Sequence, residues 1–205
     1  LSSDVVLSLA GDVNGVIWIG TPDGLNRFKD GKFQVFTFAD GLSNDLVRSV
    51  LVDRNGVLWV GTRDGLNSFR DNEFRTYTVQ DGLANNFIGA IYEDSKGNLW
   101  VGTLGGLNRF KDGQFTRYTT QDGLAKDTVQ PISEDRAGAP WVGVEGGGRS
   151  RLKDGKFTTY TTQDGLAGNL VRAVYEDRAG ALWVGTGGGL RRLRDGKFKT
   201  FTVKD

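Results

Sequence analysis

The sequence predicts an all-β fold: a β-propeller of five blades, each of four antiparallel strands and about 41 residues. Three observations predict it. First, Trp18, Trp59, Trp100, Trp141 and Trp183 stand in one recurring phrase. It reads Asp-Val-Asn-Gly-Val-Ile-Trp at 12–18, Asp-Arg-Asn-Gly-Val-Leu-Trp at 53–59, Asp-Ser-Lys-Gly-Asn-Leu-Trp at 94–100, Asp-Arg-Ala-Gly-Ala-Pro-Trp at 135–141 and Asp-Arg-Ala-Gly-Ala-Leu-Trp at 177–183. The steps between the tryptophans are 41, 41, 41 and 42 residues, a period in the range of blade repeats. Second, each period holds four short strand-like runs separated by turn signals. Third, no segment sustains helical periodicity.

The second period shows the elements in order. Residues 46–52 (Leu-Val-Arg-Ser-Val-Leu-Val) form a short run rich in β-branched residues, read as a first strand buried on both faces. Asp53-Arg54-Asn55-Gly56 follows; an Asp that accepts from nearby backbone N–H groups and a Gly that tolerates positive φ make a hairpin turn. Residues 57–62, with Trp59, are the second strand, and Arg63-Asp64-Gly65 is the next turn. Residues 66–70 are the third strand, ending at the turn Asp71-Asn72-Glu73. Residues 74–79 alternate apolar and polar, as a half-exposed outer strand should. Gln80-Asp81-Gly82-Leu83 leads into the next period.

The four strands grow more polar from first to last. One such meander cannot bury both of its faces, but copies standing around an axis can, with first strands at the hub and fourth strands at the rim. The blades fall at about 1–41, 42–82, 83–123, 124–165 and 166–205, so the periods account for all 205 residues as a single five-bladed domain. A β-solenoid uses shorter periods, and a leucine-rich repeat would need an Asn ladder and a helix. Because every blade is one contiguous stretch, blades one and five meet only by noncovalent packing. A self-closed, monomeric ring is the expectation; self-association through unclosed blade edges is the alternative.

Composition narrows function. Apolar residues are 38% and charged residues 25%, with a net charge of +1. There is no basic face for nucleic acid, and no apolar run long enough to insert in a membrane. With no Cys and no His, thiolate metal sites and the commonest general base are both absent. No cofactor, no metal and no enzymatic activity are expected. Leu1 and Asp205 occupy equivalent points of the repeat and there is no Met, which reads as an excised segment or an engineered, amplified derivative of a repetitive propeller.

Residues 44–69 resemble the repeat of the two-component regulator propeller family. The matching elements are Val-Arg-x-Val, Asp-x-x-Gly-x-Leu-Trp-x-Gly-Thr and Gly-Leu-Asn, and all five periods carry the pattern. The resemblance implies an extracytoplasmic, periplasmic-side ligand-sensing module set before a membrane-bound sensor kinase. Streptogramin lyases share a similar propeller, but their chemistry uses a His, which this chain lacks.

Candidate sites divide into structural and functional. The five tryptophans lie mid-strand in apolar runs and read as core wedged between blades rather than as sugar-stacking platforms. The Asp-x-x-Gly turns lack the further oxygens of a calcium loop. Gly-rich 146–148 and 187–189 lack the helix and Lys-Ser/Thr of a phosphate loop. One first-strand position varies chemically: Leu7, Arg48, Gly89, Gln130, Arg172. The loop between second and third strands varies too: Asp23, Arg63-Asp64, Leu104, Glu145, Gly187. Both sets fall at one end of the central channel. Arg48, Gln130, Arg172, Arg63, Asp64 and Glu145 are therefore the candidate groups for a small polar ligand or glycan. Drift at exposed positions explains the same variation.

Overall fold

The structure is a computed structural model that describes residues 1–144, 146–166, 171–177, 179–194 and 197–201; at 171–174, 176, 182 and 197–198 it describes backbone alone. Blade one contains β1 (Ser8–Gly11), β2 (Ile17–Thr21), β3 (Gly24–Lys29) and β4 (Lys32–Phe36). Blade two contains β5 (Val47–Val52), β6 (Leu58–Thr62), β7 (Leu66–Arg70) and β8 (Glu73–Tyr77). Blade three contains β9 (Ile88–Glu93), β10 (Leu99–Thr103), β11 (Gly106–Lys111) and β12 (Gln114–Tyr118). Blade four contains β13 (Val129–Glu134), β14 (Pro140–Val144), β15 (Gly148–Lys153) and β16 (Lys156–Tyr160). Blade five contains β17 (Val171–Glu176), β18 (Leu182–Thr186), β19 (Gly189–Arg194) and β20 (Lys197–Phe201). Each set is an antiparallel meander in chain order.

The turns form as their residue types dictate. In the first hairpin of blade two, Asp53 Oδ1 accepts from the N–H groups of Asn55 and Val57, both at 2.9 Å. In the outer hairpin Asp71 and Asn72 both take left-handed φ (52° and 64°), the pairing that a two-residue turn needs to match strand twist. The connection between blades carries a feature that the strand pattern hides. Thr78 donates to Asp81 Oδ2 through both N (2.8 Å) and Oγ1 (3.1 Å), while Gln80 N donates to Thr78 Oγ1 (3.2 Å). This closes a single 3-10 turn, Val79–Asp81, ended by Gly82 at φ 107°. The fourth strand therefore stops at Tyr77 rather than running on to Val79. The same box is built by Thr37 with Asp40, Thr119 with Asp122 and Thr161 with Asp164.

Packing reverses one expectation. The second strand, not the first, is the most buried: every residue of β6, β10 and β14 is buried, whereas β5, β9 and β13 are largely half-buried. A second strand has sheet neighbours on both edges and blades against both faces; a first strand has one edge on the central channel. The glycine of the second strand lets the next blade come close. A Cβ at Gly61 would lie 2.6 Å from Ile88 Cγ2, and one at Gly20 would lie 2.8 Å from Val47 Cγ1. Aliphatic clusters therefore run from blade to blade: Trp18 and Leu25 with Leu42, Val47 and Leu58; Trp59 and Leu66 with Leu83, Ile88 and Leu99. The indoles of Trp18 and Trp59 meet Phe69 and Phe110 of the following blade edge-on, at 5.7 and 5.4 Å.

First strands pack in series, β1 on β5, β5 on β9, β9 on β13 and β13 on β17; no comparable packing joins β17 to β1 among the described residues. The outward face of β1 is open to solvent, with Leu9 63% exposed. Among the described residues the blades are thus joined in series from one to five. Gly102 approaches Val129 of blade four in the same way, so the first three interfaces share this close contact.

Blade four departs from the others at its core. Arg149 stands where Leu25, Leu66 and Leu107 stand, yet is equally buried. Its Nη2 donates to Ser133 Oγ at 2.6 Å and its guanidinium lies 5.1 Å from the Trp141 ring, but Nε and Nη1 have no partner. Burial pulls its pKa down to about 9, with Asp135 opposing. A buried, half-satisfied cation is costlier than a hydrocarbon of similar size. Arg149→Leu is therefore expected to stabilise the protein by about 1–4 kcal/mol in chemical denaturation. Because the folded-state pKa is depressed, the unfolded chain binds this proton more tightly, so the penalty is complete below pH 9 and fades as pH climbs past it. The stability gap between variant and parent should narrow between pH 8 and pH 10.5.

Candidate functional site

The variable first-strand position has a structural identity. Pairing of β5 with β6 runs Val47 to Thr62 and then Ser49 to Gly61, leaving Arg48 without a cross-strand partner. Gly89 is skipped between β9 and β10 in the same way, Gln130 falls within the irregularity between β13 and β14, and Arg172 is skipped between β17 and β18. The candidate position is a β-bulge. A bulged residue is released from the ladder, and its side chain is re-aimed. The Arg48 guanidinium lies 5.2 Å from the Phe87 ring, with its Nε buried and unpaired. Gln130 packs where a Gly89 side chain would sit, since a Cβ there would lie 2.6 Å from Gln130 Nε2. Arg48 and Gln130 thus both lean on blade three.

The loop candidates are less assembled. Asp64 accepts from Asn44 Nδ2 at 2.7 Å, while Arg63 is exposed. Glu145 lies outside the described residues, and Arg172 is described in its backbone alone. Arg48 and Gln130 therefore each pack on blade three, and Asp64 is tied to a neighbouring loop.

A second site lies between blades, on the side of the first-strand hairpins. A cleft of about 1000 Å³ separates blades one and two, lined by Asp12, Asn14, Trp18, Arg27, Lys29, Gln34, Phe36, Val52, Phe69, Arg70, Asp71, Asn72 and Phe74, among others. Its counterpart between blades three and four is about 300 Å³. The difference follows from the sequence. Between later blades a glutamate at the end of a first strand clamps the preceding hairpin: Glu93 takes the Arg54 N–H (2.9 Å) and Arg54 Nε (2.6 Å), and Glu134 takes the Ser95 N–H (2.8 Å) and Oγ (2.6 Å). At the first interface Val13 and Val52 occupy these two positions, so no such clamp spans it.

The tryptophans differ in the same place. Trp59, Trp100, Trp141 and Trp183 each donate their indole N–H to the Asp six residues earlier, at 2.8–2.9 Å. Burial tends to raise the Asp94 and Asp135 carboxyls, but these bonds and those from neighbouring N–H groups outweigh it and hold both below the usual carboxylate range. Among the described residues Trp18 alone lacks this bond. Asp12 still accepts the Asn14 and Val16 N–H groups through Oδ1, so its Oδ2 and the indole N–H both remain available at the cleft. Three acidic side chains (Asp12, Asp40, Asp71) and three basic ones (Arg27, Lys29, Arg70) line it, so it carries no net charge.

Among the described residues no group of three or more His, Cys, Asp or Glu side chains could hold a metal, and no helix is long and apolar enough to cross a membrane.

Five matching blades and a ligand-sized cleft between two of them define an all-β protein of propeller repeats. The pattern of the two-component regulator propeller family matches residues 1–23, 41–64, 82–105 and 165–188. Four periods are matched rather than all five; the fourth carries Pro131, Pro140 and Arg149. Among solved structures the chain is similar to the extracellular domain of a hybrid two-component system from B. thetaiotaomicron, at 26% identity and TM-score 0.85, over 97% of this chain and 30% of that one. It is also similar to the extracellular domain of a one-component system from the same bacterium, at 24% identity and TM-score 0.79, over 97% and 31%. Virginiamycin B lyase from Staphylococcus aureus shares the fold at 16% identity and TM-score 0.76, over 98% and 70%. The chain spans under a third of the two B. thetaiotaomicron domains. No curated protein sequence matches it.

The tryptophans can be told apart by measurement. Trp59→Phe removes a hydrogen bond to a charged acceptor and should cost about 1.5–3 kcal/mol beyond the loss of ring area. Trp18→Phe removes no such bond, and thermal melts should show the smaller loss for it.

Proposed function

We propose that this chain is a non-catalytic, ligand-reading propeller scaffold that works outside the cytoplasm. Its ligand is an uncharged, hydroxyl-rich molecule such as a glycan, held in the cleft between blades one and two. The observation that carries the reading is the open pair at Trp18 and Asp12. A free indole N–H beside a free carboxylate oxygen suits a hydroxyl, which accepts from one and donates to the other. Phe36, Phe69 and Phe74 supply apolar surface for the CH face of a ring, and the balanced rim favours no ionic ligand. The volume is that of a small-molecule site. Similarity to extracellular domains of signalling systems supports the location and the sensing role. The lack of His supports a non-catalytic reading despite the shared fold of the lyase.

A second reading places the ligand at the channel end, on Arg48, Gln130 and Arg172 with Arg63, Asp64 and Glu145. The unpaired Arg48 Nε favours it.

Calorimetric titration with a panel of neutral oligosaccharides distinguishes the two. A binder is expected whose affinity falls about tenfold in Trp18→Phe, the value of one hydrogen bond to a polar ligand, and is unchanged in Arg48→Ala. Loss of binding in Arg48→Ala with Trp18→Phe unaffected would move the site to the channel. A panel without a binder would leave the scaffold and remove the glycan.

A further inference from the structure

One third-strand position stands opposite the tryptophan of each blade: Arg27, Ser68, Arg109, Arg151 and Arg192. Its side chain is used differently from blade to blade. In blade four Asp135 Oδ2 accepts from Arg151 Nε at 2.7 Å and lies 2.6 Å from Nη2. In blade five Arg192 lies over the Trp183 ring, 5.6 Å from its centroid. Arg109 has neither arrangement. Its Nε is buried without a partner, and among the described residues no protein group takes its guanidinium. Asn98 explains why the acid of its own blade is not available. The other blades carry Val16, Val57, Ala139 and Ala181 at that position. Asn98 Nδ2 donates to Asp94 Oδ2 at 2.6 Å, beside the Trp100 indole N–H at 2.8 Å. Asp94 Oδ1 accepts the N–H groups of Lys96 (2.9 Å) and Asn98 (2.8 Å). The counterpart of Asp135 thus has its lone-pair sites filled before a guanidinium can reach it.

Arg109 lines the cleft of about 300 Å³ between blades three and four, together with Lys96 and Lys153. Two carboxylates line it as well: Asp94, with its oxygens committed, and Asp154, at an exposed hairpin tip. Glu134, near Gly138, is engaged by the Ser95 N–H and hydroxyl. Three cations therefore face two acids on this lining, where the larger cleft sets three against three. Trp100, Tyr118 and Leu152 supply apolar wall. We infer that this second cleft binds a small organic carboxylate, held by the Arg109 guanidinium as Asp135 Oδ2 is held by Arg151. A planar, permanently charged fork without a protein partner matches the geometry of a carboxylate and makes charge-assisted hydrogen bonds to it. The lysines add attraction for an anion, and the volume is at the small end for ligand sites. This site is separate from the cleft between blades one and two and does not depend on what binds there.

A nitrogen–proton NMR titration of the arginine Nε–H resonances tests this in the parent chain. Sodium acetate, sodium lactate and sodium phosphate are added separately at constant ionic strength. The Arg109 resonance, assigned by its loss in Arg109→Gln, is expected to shift saturably with acetate and lactate. The Arg151 resonance, whose fork is occupied by Asp135, should stay in place. In Arg109→Gln, followed through the backbone amides of Lys96 and Gly138, carboxylate affinity should fall by about tenfold or more, the value of one hydrogen bond to a charged group. Backbone amide dispersion matching the parent shows that the variant is folded. A parent Arg109 resonance that carboxylates do not move would overturn the inference. So would carboxylate affinity retained in Arg109→Gln, or saturable binding of phosphate alone.

Discussion

The approach of one blade to the next at the second-strand glycine governs the molecule. Where Gly61 meets Ile88 and Gly20 meets Val47, there is no room for even a methyl group. That closeness lets a branched aliphatic side chain enter the neighbouring sheet, buries the second strand on both faces and fixes the angle of each step. The Trp-x-Gly-Thr phrase is thus one device. The indole fills the wide part of the wedge and the glycine creates its narrow part.

Departures from the repeat fall in two kinds of place. At the first interface the change is peripheral: Val13 and Val52 replace a clamp at the hairpin, the cleft widens, and the aliphatic cluster behind it stays intact. In blade four the change is central. Arg149 enters the position of a fully buried leucine and survives on a serine hydroxyl and an indole face. The first kind of change creates a place for a ligand. The second weakens a seam without offering an opening.

Much of the fold could be read from the sequence because its signals are local and repeated five times. Asp53-Arg54-Asn55-Gly56, Asp-Gly turns and alternation along 74–77 each specify their own geometry. The capped turn at 79–81 was harder to see, since Thr78 continues a strand-like alternation and its role depends on Asp81 three residues on. The greater burial of the second strand was hidden because first and second strands are similarly apolar; exposure depends on which edge faces the channel. The variable position at 48, 89, 130 and 172 was visible, but that it is a bulge was not, because bulging is a matter of pairing. The cleft left only a faint trace, in Val13 and Val52, and the open Trp18–Asp12 pair left none, because all five repeats keep both residues.

The bulge has a wider consequence. A residue with no opposite number can be exchanged without shifting the register of any strand, so its side chain answers to the neighbouring blade, as Gly89 answers to Gln130, and not to the ladder. Blades two to five each therefore contribute one position that mutation can rewrite without touching strand pairing. A lining assembled in this way can diversify letter by letter around the axis while the surrounding architecture stays the same.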